Sequence, residues 1–284
     1  MANETTTTTL DDLCQAIIAE ARMVLSQGIQ LKDYVSVRPL PRGKSGVLYP
    51  KYGAVTVAAV SEATDLANQA VSTSGVTITP TEFGGMTTVT DLADWKSNPT
   101  QVGADIGKLF GNAIRAIQNQ TIWALFDGFT QVEGTSNTDI TEANIVGAVQ
   151  QLMSAQAPRP YYLAITPHVF EDLLTLYSTN TNNTSADIRN AVLNKGVLPP
   201  IYGVIPLLVD NLASGTSAGK ADAADVKCGM FSREAIGYVE MTDIKLEMER
   251  DASLRANEIV ATTVFAAGEV EDTFGVELLV DNKD

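Results

Sequence analysis

A helix-forming stretch of roughly 30 residues, from Asn98 to about Gly128, constrains this chain more than any other feature. Asn98 can cap the helix, Pro99 suits its first position, and Gln101 can reach back to the cap. Apolar residues then recur at helical spacing, among them Val102, Ile106, Leu109, Phe110, Ala113, Ile117, Ile122, Trp123, Leu125 and Phe126. An ordinary helix has about 11–12 residues. A helix this long predicts an elongated subunit whose shape is completed by neighbouring copies.

The first 30 residues predict an arm that lies outside any compact domain. A polar, threonine-rich start leads to Thr9, which can cap a helix from Leu10 to about Gln27. Gly28 suits the position just past the end of that helix. Such a segment is expected to dock on another part of the assembly. Its polar start, without basic residues or an apolar run, is not typical of a secretory signal.

Residues 31–74 stand out because positive charge is concentrated there. Five basic residues, Lys32, Arg38, Arg42, Lys44 and Lys51, accompany one acidic residue between positions 32 and 51. Prolines and glycines break regular structure, and short β-prone pieces lie between them at Tyr34–Val37, Val47–Tyr49 and Ala54–Val60. We therefore predict an extended β-hairpin that projects from the body of the subunit.

The rest of the chain predicts an α+β protein. Strands at Gly75–Thr79 and Gly85–Asp91 precede the long helix. A polar stretch from Thr130 to Asp139 then marks a boundary. The middle is predicted to hold a helix capped by Thr141 that runs to about Gln156, a buried strand at Tyr161–Ile165, a helix at Pro167–Tyr177 and a strand pair at Ile201–Val209. The last part is predicted to be β-structure, with strands at Gly229–Phe231, Ala235–Tyr238, Ile244–Arg250, Ile259–Phe265 and Val276–Val280.

The composition narrows the function classes. A net charge of −15 repels nucleic-acid phosphates, so the chain could surround DNA but not grip it. No apolar run approaches the roughly 20 residues that cross a bilayer. The two cysteines, Cys14 and Cys228, lie in no paired motif, and we expect free thiols, although a disulfide stays open.

The sequence indicates no catalytic, cofactor or metal site. The only histidine is His168, at a predicted helix start, and a single histidine makes no metal cluster. The run Gly43-Lys44-Ser45 resembles the end of a phosphate-binding loop, but Arg38 stands where that motif needs its first glycine. A soluble hydrolase that uses His168 remains the alternative from another class of function.

Three glycines with four-residue spacing, Gly103, Gly107 and Gly111, lie along one face of the long helix. Each costs up to about 1 kcal/mol relative to alanine. Their alignment therefore predicts a close-packing helix face against a strand or a neighbouring subunit, while incidental glycines on a solvent face are the alternative.

The C-terminal region complements the basic segment. Twelve acidic residues and four basic residues lie between Glu240 and Asp284. The two regions could meet within one chain or between copies. Because a projecting hairpin cannot bury itself, contact between copies is favoured. The candidates for inter-subunit contact are Lys32, Arg38, Arg42, Lys44, Lys51, Glu247, Glu249 and Asp251.

The order of these elements resembles the major capsid protein of tailed double-stranded DNA bacteriophages, the Hong Kong 97 type of shell fold. Several stretches carry the resemblance. The stretches from Val76 to Pro80 and from Met86 to Ala93 resemble the family's strand pair that leads into its long spine helix. The stretch from Asn98 to Gly128 resembles the spine helix itself. The stretches from Tyr161 to Leu173 and from Ile201 to Asp210 resemble parts of the family's axial domain. The stretch from Glu247 to Ala252 resembles the segment in which the chain returns through the peripheral domain.

The resemblance implies four regions. They are an N-terminal arm (1–30), an extended loop or E-loop (31–74), a peripheral or P domain (75–135 and 240–275) with its spine helix at about 98–128, and an axial or A domain (136–239 and 276–284). It implies self-assembly into hexamers and pentamers of an icosahedral capsid around double-stranded DNA, built in the host cytoplasm. Expected partners are a portal protein, a separate scaffolding protein and a decoration protein. The alternative within this fold is an encapsulin-like nanocompartment that encloses protein cargo.

Overall fold

A computed structural model gives the structure of the chain. It describes residues 29–92 apart from positions 42, 54, 58, 61, 63, 64, 66 and 67, and then residues 99–179, 198–209, 212 and 225–281. Within residues 99–104 and 178–179 only the backbone is described. The predicted arm helix from Leu10 to Gln27 and the Asn98 cap lie outside the described residues.

A four-stranded sheet, which we call the P sheet, forms the first layer. Its strands are ordered β1 (Ser36–Pro39), β9 (Ile236–Asp251), β10 (Ala256–Glu269) and β4 (Thr81–Thr90). β1 runs parallel to β9, whereas β10 is antiparallel to both β9 and β4. The long helix α1 (Pro99–Trp123) packs across β10, and its Ile114 forms a small buried cluster with Ile244 of β9.

A five-stranded sheet, which we call the A sheet, forms the second layer. Its strands are ordered β5 (Val132–Gly134), β11 (Gly275–Asp281), β8 (Asp225–Ser232), β6 (Tyr161–Ile165) and β7 (Val204–Leu208). Helices α2 (Glu142–Ser154) and α3 (Pro167–Thr179) belong to the same part of the chain. The Thr141 cap is confirmed, because its side chain accepts a hydrogen bond from the Asn144 amide.

The main core joins the end of α1 to the A sheet. Trp123 and Phe126 are buried, and the Phe126 ring stacks on Phe231 of β8 with 5.4 Å between ring centroids. The prediction of an unbroken helix to Gly128 is wrong. Hydrogen bonding changes to the tighter pattern at Leu125, whose amide donates to the Ile122 carbonyl, and a 3₁₀ turn spans Phe126–Gly128. The tighter turn points Phe126 into the core.

The projecting hairpin is formed by β2 (Val47–Tyr52) and β3 (Thr73–Ile78), which pair antiparallel with Val47 opposite Ile78. The predicted boundaries of its strands need correction. The predicted Tyr34–Val37 strand appears as β1 and belongs to the P sheet, and the described residues of Ala54–Val60 form no strand. The strand predicted at Gly75–Thr79 is the second leg of the hairpin. The division into arm, E-loop, P domain and A domain stays a prediction.

Two further predictions on strands are wrong in detail. The strands predicted at Ala235–Tyr238 and Ile244–Arg250 form one continuous strand, β9, because a bulge near Thr242 keeps both halves paired with β10. The pair predicted at Ile201–Val209 is the single strand β7 with an isolated bridge between Ile201 and Val204. Pro206 is tolerated there because β7 is an edge strand.

Two expectations from composition can be compared with the described residues. None of the helices in the described part of the chain is long and apolar enough to cross a membrane. Cys228 is a buried free thiol in β8, and burial raises its pKa to about 12. Cys14 lies outside the described residues.

Candidate assembly interface

The base of the hairpin rests on a pair of glycines in the P sheet. Gly237 of β9 and Gly268 of β10 lie directly opposite each other in the ladder. A Cβ atom at Gly237 would lie 2.8 Å from the Tyr49 ring and 2.9 Å from Ile78, and one at Gly268 would lie 3.0 Å from Ile78. Since side-chain carbons do not approach so closely, the two glycines allow the hairpin to pack directly on the sheet backbone.

The Tyr49 hydroxyl fastens the hairpin to two strands at once. It lies 2.9 Å from the Ser36 carbonyl oxygen of β1 and 3.1 Å from the Tyr238 carbonyl oxygen of β9. Burial raises the pKa of Tyr49, although the nearby Arg38 cation opposes that shift. The Arg38 guanidinium lies 4.3 Å from the centre of the Tyr49 ring. Both side chains are therefore held at the hairpin base.

Two of the basic candidates pair with carboxylates of the same chain. The Lys51 ammonium lies 2.7 Å from Glu271, and Lys32 lies 3.6 Å from Glu240. Both carboxylates belong to the acidic C-terminal region, so the contact within one chain, left open by the sequence, occurs here. Such pairs contribute about 0.2–1 kcal/mol each. The inter-subunit role of the basic residues stays a prediction. Lys44 is exposed, and Arg42 lies outside the described residues.

The acidic candidates lie along β9. Glu247 pairs with Lys245 of the same strand. Asp251 accepts hydrogen bonds from the Ser253 hydroxyl and from the Ser253 and Leu254 amides, and these hydrogen bonds lower its pKa. Asp251 therefore holds the turn between β9 and β10.

Glu249 differs from the other acidic candidates because it faces a like charge. It lies opposite Glu258 in the ladder, and within the described residues neither carboxylate has an ion-pair partner. Like charges directly opposite each other are destabilising. A cation from outside the subunit would relieve this repulsion, but the inter-subunit role of Glu249 stays a prediction.

Two glycines of the predicted strip on α1 lie toward the subunit interior. Gly107 and Gly111 are buried, whereas the surroundings of Gly103 are not among the described side chains. Nearby, the Phe110 ring lies at an ordinary contact distance, 3.4 Å, from the position that a Cβ atom on Gly85 of β4 would take. Burial within the subunit favours packing against its own chain, although the close-packing role of Gly103, Gly107 and Gly111 stays a prediction.

The outer part of the hairpin exposes apolar side chains. Val57 is 96% exposed and Tyr52 is 68% exposed, and Leu48, Val55, Val60 and Val71 are also largely exposed. The Gln69 side-chain amide ties the two legs of the loop together, since it accepts from the Thr56 amide and donates to the Thr56 carbonyl. An exposed apolar surface on a projecting hairpin is typical of a protein-binding site.

Two further features, a cleft and the histidine, lie in the described part of the chain away from the hairpin. An open cleft of about 640 Å³ beside β5 is lined by threonine, glutamine, serine, valine and alanine side chains. His168 is exposed at the start of α3, near Asp172, whose pKa is raised mainly by burial. In the described part of the chain no group of three histidine, cysteine or carboxylate side chains could hold a metal ion.

Sequence reasoning missed the glycine pair and the side chains that rest on it. A signal was present, because glycine inside a predicted strand marks a bulge or a close backbone approach. Both Gly237 and Gly268 lie in or beside segments with strand patterns. The partner residues Tyr49 and Ile78, however, are 159 to 190 positions away, and only the folded chain shows that they meet there.

The fold is of the Hong Kong 97 capsid type. It combines the P sheet with α1 packed across it, the A sheet, and the β2–β3 hairpin fixed at its base. The model of the phage capsid protein family matches residues 73–277. The chain therefore belongs to the phage capsid protein family and is a structural capsid subunit, of the kind that assembles with copies of itself into a virion shell. A comparison with curated protein sequences finds no match.

Solved structures share the fold at low sequence identity. A chain from Mycobacterium phage Che8 is 20% identical with a TM-score of 0.65, and the match covers 83% of this chain and 84% of that one. The head structure of Helicobacter pylori bacteriophage KHP40 gives 12% identity and a TM-score of 0.64, and the match covers 91% of this chain and 92% of that one. A virus-like particle from Pyrococcus furiosus gives 11% identity and a TM-score of 0.57, and the match covers 94% of this chain and 98% of that one.

Proposed function

We propose that copies of this subunit form the hexamers and pentamers of an icosahedral phage capsid that encloses double-stranded DNA. The observation that carries this proposal is the hairpin, whose base is fixed to the P sheet and whose apolar loop residues face solvent. An exposed apolar surface of this kind marks a site that another protein covers. In a shell of many copies, the neighbouring subunit supplies that cover.

The charge of the chain agrees with enclosure of DNA without tight binding. At −15, the subunit repels phosphates as a whole, so DNA inside the shell would meet no general adhesive surface. A portal protein for DNA entry, a separate scaffolding protein and a decoration protein are the further partners of this proposal, and assembly takes place in the host cytoplasm. The arm, E-loop, P domain and A domain are its functional regions.

The first experiment asks whether the purified full chain forms closed shells. Electron microscopy and analytical ultracentrifugation should show particles of uniform size, with both six-fold and five-fold units in averaged images. If the chain alone remains monomeric, co-expression with the neighbouring structural genes of the phage tests the need for scaffolding. A chain that stays monomeric at high concentration in both experiments would contradict the proposal.

The contents of the particles separate the proposed capsid from an encapsulin-like compartment. Particles purified from infected cells are treated with nuclease before they are opened, and the protected nucleic acid and the non-shell proteins are then measured. Protected genome-length DNA supports the capsid proposal. A single abundant cargo enzyme without DNA would favour the nanocompartment instead.

A further inference from the structure

The open cleft beside β5 is uncharged, which sets it apart in a chain with a net charge of −15. It measures about 640 Å³ and lies between the start of β5 and the last turns of α2. No charged residue lines it. The walls include Thr130, Gln131 and Val132 on one side and Gln150, Gln151 and Ser154 on the other. Such walls suit an uncharged occupant that forms hydrogen bonds.

Two buried oxygen atoms in the walls of the cleft need a hydrogen-bond donor. They are the side-chain carbonyl oxygens of Gln131 and Gln151, which have no partner within the described residues. The Gln151 nitrogen already donates to the Glu133 carboxylate at 2.5 Å, which fixes the orientation of the amide group. Both glutamines are half-buried. A donor from an occupant would satisfy the two oxygens after a small turn of each side chain.

The free edge of β5 presents backbone groups at the same place. β5 is the outermost strand of the A sheet and pairs with β11. The Glu277 amide donates to the Gln131 carbonyl, so Gln131 and Glu133 supply the β5 groups that bond to β11 in this parallel ladder. The amide and carbonyl of Val132 therefore point to the free side, and its side chain lines the cleft. Such an edge can pair with an extended segment.

The short length of β5 restricts the source of that segment. β5 has three residues, so a paired segment forms few backbone hydrogen bonds with it. Few bonds do not offset the loss of freedom when a separate molecule binds. A segment of the same chain is already tethered and has a far higher effective concentration. The cleft therefore fits a tethered occupant better than a free one.

The threonine tract Thr5–Thr9 has the composition that the cleft requires. It is uncharged, threonine favours extended strands, and each hydroxyl group can donate a hydrogen bond. Two other uncharged stretches outside the described residues, 180–185 and 213–219, are rich in asparagine or in glycine and other small residues. Asparagine and glycine are disfavoured in strands. The threonine tract is therefore the better match.

The arm is long enough for the tract to reach the cleft of its own subunit. Its last residues join the body at Ile29, whose carbonyl accepts a hydrogen bond from Asn119 of α1. The cleft begins at Thr130, and the segment from 119 to 130 would span at most about 36 Å if fully extended. The predicted arm helix alone would cover about 27 Å. The tract and the residues around Gly28 supply the remaining reach.

We infer that the Thr5–Thr9 tract adds beside β5 in the cleft of its own subunit, so that the arm is held against the body of the unassembled subunit. Backbone pairing with Val132 supplies the register, and threonine hydroxyls donate to the Gln131 and Gln151 oxygens. The inference concerns the single subunit. It holds or fails independently of the proposed shell.

Cysteine cross-linking in the unassembled full-length chain provides the direct test. Thr7→Cys is combined with Val132→Cys in a Cys14→Ser background and oxidised mildly at low protein concentration. Mass spectrometry should find a disulfide within one chain, in a yield that does not depend on protein concentration. The matched control pairs Thr7→Cys with Val146→Cys, because Val146 is exposed on α2 but does not line the cleft.

The control pair should form at least ~10-fold less of the disulfide within one chain, because only the cleft pair is held together. Circular dichroism verifies that both double variants are folded. Equal yields from the two pairs would overturn the inference. A disulfide that forms only between copies, in a yield that rises with protein concentration, would also overturn it.

Hydrogen–deuterium exchange tests the same contact without oxidation. Thr6→Pro with Thr7→Pro removes two successive amides, so one of the lost amides faces β5 in either orientation of the tract. The Val132 amide should then exchange at least ~3-fold faster than in the wild-type subunit. Thr6→Ser with Thr7→Ser keeps the amides and hydroxyls and should leave the exchange unchanged. Identical exchange in the proline variant and the wild type would contradict the inference.

Discussion

The Tyr49 hydroxyl lies 3.1 Å from the carbonyl oxygen of Tyr238, a residue 189 positions further along the chain. Together with the contact to Ser36, it ties β2 of the hairpin to β1 and β9 of the P sheet. The hydroxyl is thus a direct link between the projecting element and the body of the subunit.

Tyr49→Phe should lower the free energy of unfolding of the unassembled subunit by about 0.5–1.5 kcal/mol, because the single O–H donor that the Ser36 and Tyr238 carbonyl oxygens share is lost. Urea unfolding followed by fluorescence measures the change. Tyr52→Phe is the matched control, since Tyr52 lies on the same strand but is 68% exposed. Equal stability of the two variants would show that the Tyr49 hydroxyl contributes nothing to hairpin attachment.

Gly237→Ala should destabilise the subunit by about 1–3 kcal/mol, because the new Cβ atom would overlap the Tyr49 ring and the Ile78 side chain. Gly85→Ala is the control, because its Cβ atom would meet the Phe110 ring at 3.4 Å, an ordinary contact distance. There the loss of chain entropy in the unfolded state favours a change near zero or a small gain. Urea midpoints of the two variants distinguish these outcomes, and a neutral Gly237→Ala would contradict the packing argument.

The ion pair between Asp91 and Arg250 makes a pH-dependent contribution to the free energy of unfolding of the subunit. Two parallel hydrogen bonds join them, and the bond from Arg250 holds the pKa of Asp91 below its ordinary value. The contribution is therefore complete above the unfolded-state pKa of about 3.9 and is lost as the pH falls through the lower folded-state pKa. Asp91→Asn should lower the urea midpoint at neutral pH, and the difference from wild type should shrink as the pH is lowered.

The like-charge pair offers the control for that measurement. Glu249→Gln removes the repulsion with Glu258 and should not lower the urea midpoint at neutral pH. A midpoint difference for Asp91→Asn that stays constant down to low pH would argue against an ionic origin.

Charge reversal at the hairpin separates folding from assembly. Lys44→Glu changes an exposed residue, so we expect a folded subunit with a reduced yield of particles, most clearly at low salt. Arg38→Glu instead removes a cation that lies over the Tyr49 ring and should also destabilise the subunit itself. The double variant Lys44→Glu with Glu249→Lys should recover part of the particle yield. No recovery would mean that Glu249 does not face Lys44 of a neighbour.

The apolar loop of the hairpin predicts a further separation of folding and assembly. Val57→Asp alters a side chain that is 96% exposed, so the urea midpoint of the unassembled subunit should be unchanged. Particle yield, measured by sedimentation, should fall because a carboxylate would have to be buried against the neighbour. Val57→Thr keeps the shape and is the milder control. Normal particles from Val57→Asp would show that this side chain lies outside the contact.

Local signals made several elements predictable from the sequence. The strand Tyr161–Ile165 is an apolar run bounded by prolines, and the helix that begins at Pro167 has a standard start, so the structure confirms both predictions. The Thr141 cap likewise acts through a contact three residues away. In each case the deciding interactions lie within one turn or one strand.

Elements that depend on distant residues were predicted less well. Leu125 and Phe126 continue the helical pattern of α1, yet the helix ends at Trp123 because Phe126 packs on Phe231. The hairpin was expected, but its second leg could not be assigned without the pairing of Val47 with Ile78. For the interface, charge indicated the basic segment, whereas the pairing of Lys51 with Glu271 within one chain is a result of tertiary structure.

The strands that flank the hairpin have a mechanical consequence for the shell. β1 enters the hairpin from one edge of the P sheet, and β4 leaves it along the opposite edge. The hairpin is therefore suspended between the two outer margins of a single sheet. Any force applied to the hairpin would divide between both margins and would load the central strands β9 and β10 from two sides, so that the whole sheet would share it.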